Sequence, residues 1–335
     1  MAFTMHSHSG QFCGHAVDTL EQVVQRAIAL GFCTLGLSEH MPRAHVEDLY
    51  PEERGDGSNL NGMLAALTAK YEAYLVEAVR LRDAYAGRIH ILVGFEGEWI
   101  HGAHDDGARI QALARHPEVD YFIGSVHHVG RKGTPIDYDK ATFQAAIDVA
   151  VSKAGVAAST DIDPEVYLYA DYYDQQLEML QALRPRIVGH FDLVRLLSVN
   201  PARDPATATG LATLVWPKIQ RNLEYVASYG GWLECNTAAL RKGLAEPYPG
   251  RAISELWVKL GGKFTMSDDS HGTSHVATNY LRGLAYLKSL GVNEVWTLER
   301  KPSSVSPGGA KTRGELLEKS VTLAEFEASL RLEES

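Results

Sequence analysis

Cationic side chains are in short supply: 32 Lys and Arg stand against 42 Asp and Glu, a formal net charge of -10. A general nucleic-acid surface needs the opposite balance, because phosphate backbones are held by an excess of Lys and Arg. Cysteine is scarce as well. Cys13, Cys33 and Cys235 lie far apart and form no CxxC, which argues against a disulfide framework or a thiolate zinc site and leaves them as buried or incidental thiols. No apolar run reaches the roughly 18 residues a membrane span needs. The opening MAFTMHSHSG has no basic region followed by an apolar stretch. The expectation is a cytoplasmic protein with neither nucleic acid nor membrane as partner. Oligomeric state is not readable from the sequence.

What is present is ample material for a core: 45% hydrophobic against 22% charged residues, which excludes general disorder. One α/β barrel would consume nearly all 335 residues, so a single domain over 1–335 is expected. Short β-branched or aromatic runs alternate with longer amphipathic stretches, the pattern of a parallel sheet wrapped by helices. Seven strands are predicted near 2–6, 33–38, 89–95, 119–126, 186–190, 232–236 and 263–267. Asp18 and Glu21 give a capping-box-like helix start, Leu20, Val24, Ala27 and Ile28 make one face, and Gly31 ends it. Leu211, Leu214, Val215, Leu223 and Val226 repeat that spacing ahead of Gly230 and Gly231. The polar segments 41–62 and 130–140 read as loops, the first a candidate lid. In the tail, 299–335, breakers and charge predict a loose first half and a short helix at the end.

The chain is also rich in histidine, with 14 residues, and their positions are informative. His6 and His8 close the first predicted strand, Glu39 and His40 the second, Glu96 and Glu98 the third, His127 and His128 the fourth. His190 and Asp192 close the fifth, and Asp268, Asp269 and His271 the seventh. HxH on a strand puts two imidazoles on one face, since side chains alternate with period two, although such pairs also arise by chance. Six of seven strands delivering donors at the same end is phased in a way that surface accidents are not. In a parallel barrel those ends converge on the face where active sites form. Imidazole and carboxylate without thiolate suit zinc, manganese or iron. The donors outnumber one ion's needs, so a cluster of divalent ions is expected.

The strings MHSHSG, GLSEH, VGFEGEW, GSVHH, GHFD and SDDSH, in that order, resemble the metal motifs of the polymerase and histidinol phosphatase (PHP) superfamily. HSHSGQFCGHA and YYDQQLEMLQALRPRIVGHFDLVRL narrow the resemblance to its bacterial and fungal histidinol phosphatases. The resemblance implies a distorted (β/α)7 TIM-like barrel of the PHP type, with the metal site at the C-terminal ends of the strands. It implies three ions: one held by His6, His8, Glu96 and Asp269, a second by Glu96, His127 and His190, and a third by His15, His40 and His271. His15 enters only through the resemblance. Asp268 and Asp269 are adjacent and only one can ligate; DxH favours Asp269, as GSVH favours His127 over His128. Glu98 shares the face of Glu96 if that strand continues. Glu39, Glu98 and His128 are either ligands or outer partners that orient ligands.

The implied reaction is hydrolysis of histidinol phosphate, a step of histidine biosynthesis, with hydroxide held by the cluster attacking phosphorus in line. A small phosphate ester is the expected partner. Asp192 and His128 are proton-donor candidates by placement, and Glu39 joins them as a catalytic candidate. Arg43 and Arg195 are phosphate-binding candidates or ordinary surface arginines. Two rival readings share the motifs: a phosphodiesterase or exonuclease, which the acidic charge disfavours, and a non-catalytic binding scaffold, which has no need of an open cluster.

Overall fold

The computed structural model describes residues 1–130, 133–155, 161–301 and 315–332. Each predicted strand is there: β1 Ala2–Thr4, β2 Phe32–Leu37, β3 His90–Glu98, β4 Tyr121–Ser125, β5 Ile187–Val188, β6 Trp232–Asn236 and β7 Lys263–Ser267. Every neighbouring pair is parallel and the spatial order follows the chain. The sheet nearly closes on itself. Met5 N donates to Met266 O at 3.1 Å, and just beyond, Ser7–His8 pairs in parallel with Ser270–His271. The expected α/β barrel is therefore present, wrapped by α1 Leu20–Ala29, α2 Leu60–Ala84, α3 Ala108–Ala114, α4 Lys140–Ala154, α5 Glu165–Leu183, α6 Trp216–Ser228, α7 Ala238–Arg241, α8 Arg251–Lys259 and α9 Tyr280–Ser289.

The interior is filled by alternation. Tyr121 lies across the barrel and donates its hydroxyl to Met5 O at 2.7 Å. Space for its ring exists because β2 and β3 present Gly36 and Gly94, where a Cβ would come within 2.2 Å and 2.5 Å of the tyrosine. Strand β3 extends to Glu98, past the predicted end, so Glu96 and Glu98 follow Gly94 on the same face at period two.

Two local readings change. Helix α1 is capped by Thr19 with Gln22, one residue later than expected, because Asp18 sits at φ 67° and gives its carboxylate to the N–H and hydroxyl of Thr273. An N-cap needs extended backbone, which Thr19 supplies. The 211–215 stretch forms a wide turn, and the regular helix starts at Trp216, with Pro217 in its first turn. In the tail, the predicted short helix is α10 Leu323–Ser329, preceded by an unanticipated strand, β9 Leu316–Thr322, antiparallel to β8 Glu294–Arg300. The expectation of a loose first half falls on 302–314, outside the described residues.

The β8–β9 hairpin covers the end of the barrel where the strands begin. Trp296 faces Trp232, Glu318 pairs with both Arg186 and Lys263, and Arg300 pairs with Asp120. The opposite, C-terminal end is left for chemistry. Because Gly94 is overpacked by any side chain, Gly94→Ala should destabilise the fold by about 1–3 kcal/mol in urea unfolding. Gly87→Ala, where nothing lies within 4 Å of the added carbon, should stay within about 0.5 kcal/mol.

Candidate metal centre

Glu96 divides its two oxygens between two groups of imidazoles. Oε2 lies 3.3 Å from His6 Nε2 and 3.6 Å from His8 Nε2, while Oε1 lies 3.0 Å from His190 Nε2 and 3.4 Å from His127 Nε2. Asp269 closes the first group at 3.7 Å from His6 and 3.4 Å from His8. A third group collects Cys13, His15, His40 and His271. His15 and His271 face each other, Nε2 to Nε2, at 3.2 Å. Two nitrogens at about 2.0–2.1 Å from one tetrahedral zinc stand about 3.3 Å apart, so this spacing is that of co-ligands. The structure thus brings together all nine residues of the expected ligand set.

These residues fit an ion by a further criterion. His6 Nε2 and both ring nitrogens of His8 and of His40 are buried with no hydrogen-bond partner. Such orphans are rare in folded proteins unless something else satisfies them. Protonation divides the set: burial keeps His127, His15 and His271 neutral, whereas neighbouring groups outweigh burial and raise His6, His40 and His190. Burial holds His127 at a pKa of about 3, and burial with the adjacent His40 and His8 does the same for His15. Neutral imidazole is the ligating form. For His6, burial alone would depress the pKa, but Glu234, Glu96 and Asp269 override it and hold it well above the ordinary value.

The ligands are oriented from behind. Glu234, in the middle of β6, takes His6 Nδ1 at 2.8 Å on one oxygen and the His190 backbone N–H at 2.9 Å on the other. Sequence reading passed over it because it interrupts the apolar string WLECN rather than ending it; a buried carboxylate there was the available signal. Cys13 was likewise set aside as incidental, although it stands two residues from His15 and its Sγ is 3.3 Å from that ring. His271 Nδ1 is fixed by Asp269 O at 2.9 Å. The Asp268 and Asp269 alternatives separate clearly. Asp268 accepts from Ala277 N at 2.7 Å and Ser270 N at 3.1 Å, and burial pushes its pKa up to about 6; Asp269, turned by a φ of 47°, faces the imidazoles.

The catalytic and phosphate-binding candidates sit outside the cavity lining. Glu39 points away from the cavity: Oε1 accepts from the Ser9 N–H at 2.8 Å and hydroxyl at 2.6 Å, and Oε2 lies 3.7 Å from His8 Nδ1. His128 is buried behind Tyr50 and Glu98, its pKa lowered to about 3 by burial. Asp192 accepts from Arg195 Nε at 2.7 Å and Gly250 N at 2.9 Å, and Arg195 Nη2 donates to the carbonyls of Glu246 and Pro247 at 3.0 and 2.7 Å. Arg43 is sequestered between Glu98 and Glu53 beneath the Tyr50 ring. None of these five lines the cavity beside the donors, which measures about 380 Å³. Both guanidinium groups are committed to protein oxygens, so they position loops. The cationic groups lining the cavity are instead Arg241 and Lys242; His275, whose pKa burial lowers, lines it as well, with Tyr50, Glu52, Asp137 and Tyr138. Tyr50 and Glu52 come from the 41–62 segment.

A seven-stranded parallel barrel with His and acidic donors gathered at its C-terminal end defines the PHP class, and residues 4–238 match the PHP domain. The chain belongs to that family. It is 38% identical over 302 residues to the probable histidinol-phosphatase of Schizosaccharomyces pombe, spanning 90% of this chain and 91% of the relative. To the histidinol-phosphatase of Saccharomyces cerevisiae it is 32% identical, spanning 84% and 87%. Its fold is similar, with a TM-score of 0.58 at 17% identity over 88% of this chain and 95% of the other, to the histidinol phosphate phosphatase of Lactococcus lactis, solved with zinc, L-histidinol and phosphate.

Because Glu234 fixes the His6 ring and the His190 backbone together, Glu234→Gln should weaken divalent-metal binding about 10–100-fold. Competition against a chromophoric chelator measures this directly, and unchanged affinity would remove Glu234 from the centre.

Proposed function

We propose that this chain hydrolyses histidinol phosphate to histidinol and phosphate at a centre of three divalent ions drawn from zinc, manganese and iron. The observation that carries the reading is the way Glu96 stands between two imidazole groups while a third group adjoins them. His6, His8, Glu96 and Asp269 would hold one ion, Glu96, His127 and His190 the second, and His15, His40 and His271 the third. Cys13 stands within reach of the third. Bound divalent ions supply Lewis acidity toward phosphoryl oxygens and lower the pKa of water.

The chain's own residues account for the rest. Arg241 and Lys242 give the phosphate dianion cationic partners. Arg241 is held by the carbonyls of Asp268 and Asp269, both at 2.9 Å, which ties its guanidinium to the turn that aims Asp269. Glu52 and Asp137, which line the same cavity, offer carboxylates to the ammonium and imidazole of the substrate. Asp137 Oδ1 is buried with no partner, and burial raises the pKa of the group. Tyr50 and Tyr138 add aromatic faces, with ring centroids 5.8 Å apart. Glu39, Glu98 and Glu234 hold the imidazoles in place, and the Asp192–Arg195 pair holds the 246–250 segment beside His190.

Phosphate release should be fastest with histidinol phosphate when sugar phosphates, nucleotide monophosphates and a nucleotide diester are assayed beside it. A diester or sugar phosphate turned over faster would replace this substrate. Prolonged chelation should abolish turnover and added zinc or manganese restore it, while Glu96→Ala and His190→Ala should be inactive yet folded. Asp137→Asn should raise KM for histidinol phosphate about tenfold or more with a smaller effect on kcat, as expected when a ground-state contact is lost. An unchanged KM would take Asp137 out of substrate recognition.

A further inference from the structure

A second group of donors lies outside the cavity and plays no part in the reading above. His45, Asp48 and His101 each present a ligand atom within 4.8 Å of the others. His101 Nε2 stands 2.8 Å from one oxygen of Asp48 and 2.9 Å from the other, so the carboxylate faces it with both. The rings of His45 and His101 approach to 4.5 Å, and His45 Nε2 contacts the carboxylate of Asp105. The site is built rather than loosely exposed. Asp48 is only 3% exposed, and the backbone N–H groups of Ile100 and His101 are both anchored by the buried Asp106.

The geometry is that of a small chelating set: the buried Asp48 presents both oxygens to His101, and a ligand atom of His45 lies within 4.8 Å of both residues' donors. Two imidazoles and one carboxylate are a donor set that zinc accepts, with a further position open to water or another oxygen.

We propose that His45, Asp48 and His101 form a structural site for one divalent ion of the zinc class, separate from the Glu96 centre, with Asp105 in contact with His45. It joins the 41–62 loop to the turn that follows β3. Tyr50 and Glu52, two and four residues past Asp48, line the substrate cavity, so the ion fixes the segment that carries them.

The test is metal content. Zinc-loaded protein is dialysed free of excess ion, and zinc per chain is measured by plasma mass spectrometry for the wild type, His45→Gln and His101→Asn. His45 has a side chain 37% exposed, so its replacement leaves the core intact; circular dichroism and thermal melting check both variants. Each variant should carry one equivalent fewer than the wild type, and cobalt substitution should show one ligand-field absorption component lost in both. Because the readout is a difference of one, it does not depend on how many ions the Glu96 centre holds. Equal metal content in all three proteins, or a loss larger than one equivalent, overturns the site.

Discussion

Everything at the C-terminal end of the barrel is arranged around one buried carboxylate. Glu96 is 1% exposed, and His6, His8, His40, His127 and His190 all reach it, the last four from loops that begin on different strands. An unpaired carboxylate at that depth costs several kcal/mol. The fold can carry it only by delivering cationic or metal-bound partners from every side. This explains why β3 is the longest barrel strand: its lower half packs against Tyr121 through Gly94, and its upper half lifts Glu96 and Glu98 above the tyrosine layer. The hydrophobic plug and the donor layer are consecutive levels of the same strand face.

Strand positions were legible because the barrel strands are buried on both faces and read as short apolar runs. The phasing of His and acid at their ends was legible for the same reason, since a donor at the end of such a run is conspicuous. His15 was not, because it lies in a loop whose path no periodicity encodes, and only motif resemblance brought it in. Glu234 and Cys13 were overlooked where a donor sits inside an apolar stretch or beside a better one. Arg43 and Arg195 stayed open between two readings for a different reason. A guanidinium near a ligand motif looks the same in sequence whether it faces substrate or a carboxylate behind the site, and here Glu98 and Asp192 take the two arginines inward. The shift of the first helix cap from Asp18 to Thr19 is of the same kind: a distant partner, Thr273, claims the residue that local rules favoured.

Size is a poor guide to the site in this molecule. A groove of about 800 Å³ between α2 and α3 is roughly twice the volume of the donor-lined cavity, but Tyr71, Leu75, Val76, Val79, Ala112 and Leu113 make it largely apolar. No converging set of imidazoles opens into it. A doubly charged phosphate ester gains little from such a surface, whereas the smaller cavity is lined by Arg241 and Lys242 together with the carboxylates of Glu52 and Asp137. Groups of both signs in one cleft match a molecule that carries phosphate and ammonium together.

The acidic excess of the chain then takes on a local meaning. Glu39, Glu96, Glu98, Glu234 and Asp269 are all buried at or directly behind the centre, and Arg43 pairs with the Glu98 carboxylate. Imidazoles that must stay neutral to ligate cannot balance these charges by protonation. The balance has to come from bound cations, whose charge dominates a site of this kind. A chain with a net charge of -10 can therefore attract an anionic substrate, because its buried acids hold the ions that reverse the sign of the potential where the phosphate sits. On this argument the carboxylates behind the imidazoles have two inseparable roles: they aim each ring, and they set how much positive charge the centre can accumulate before substrate arrives.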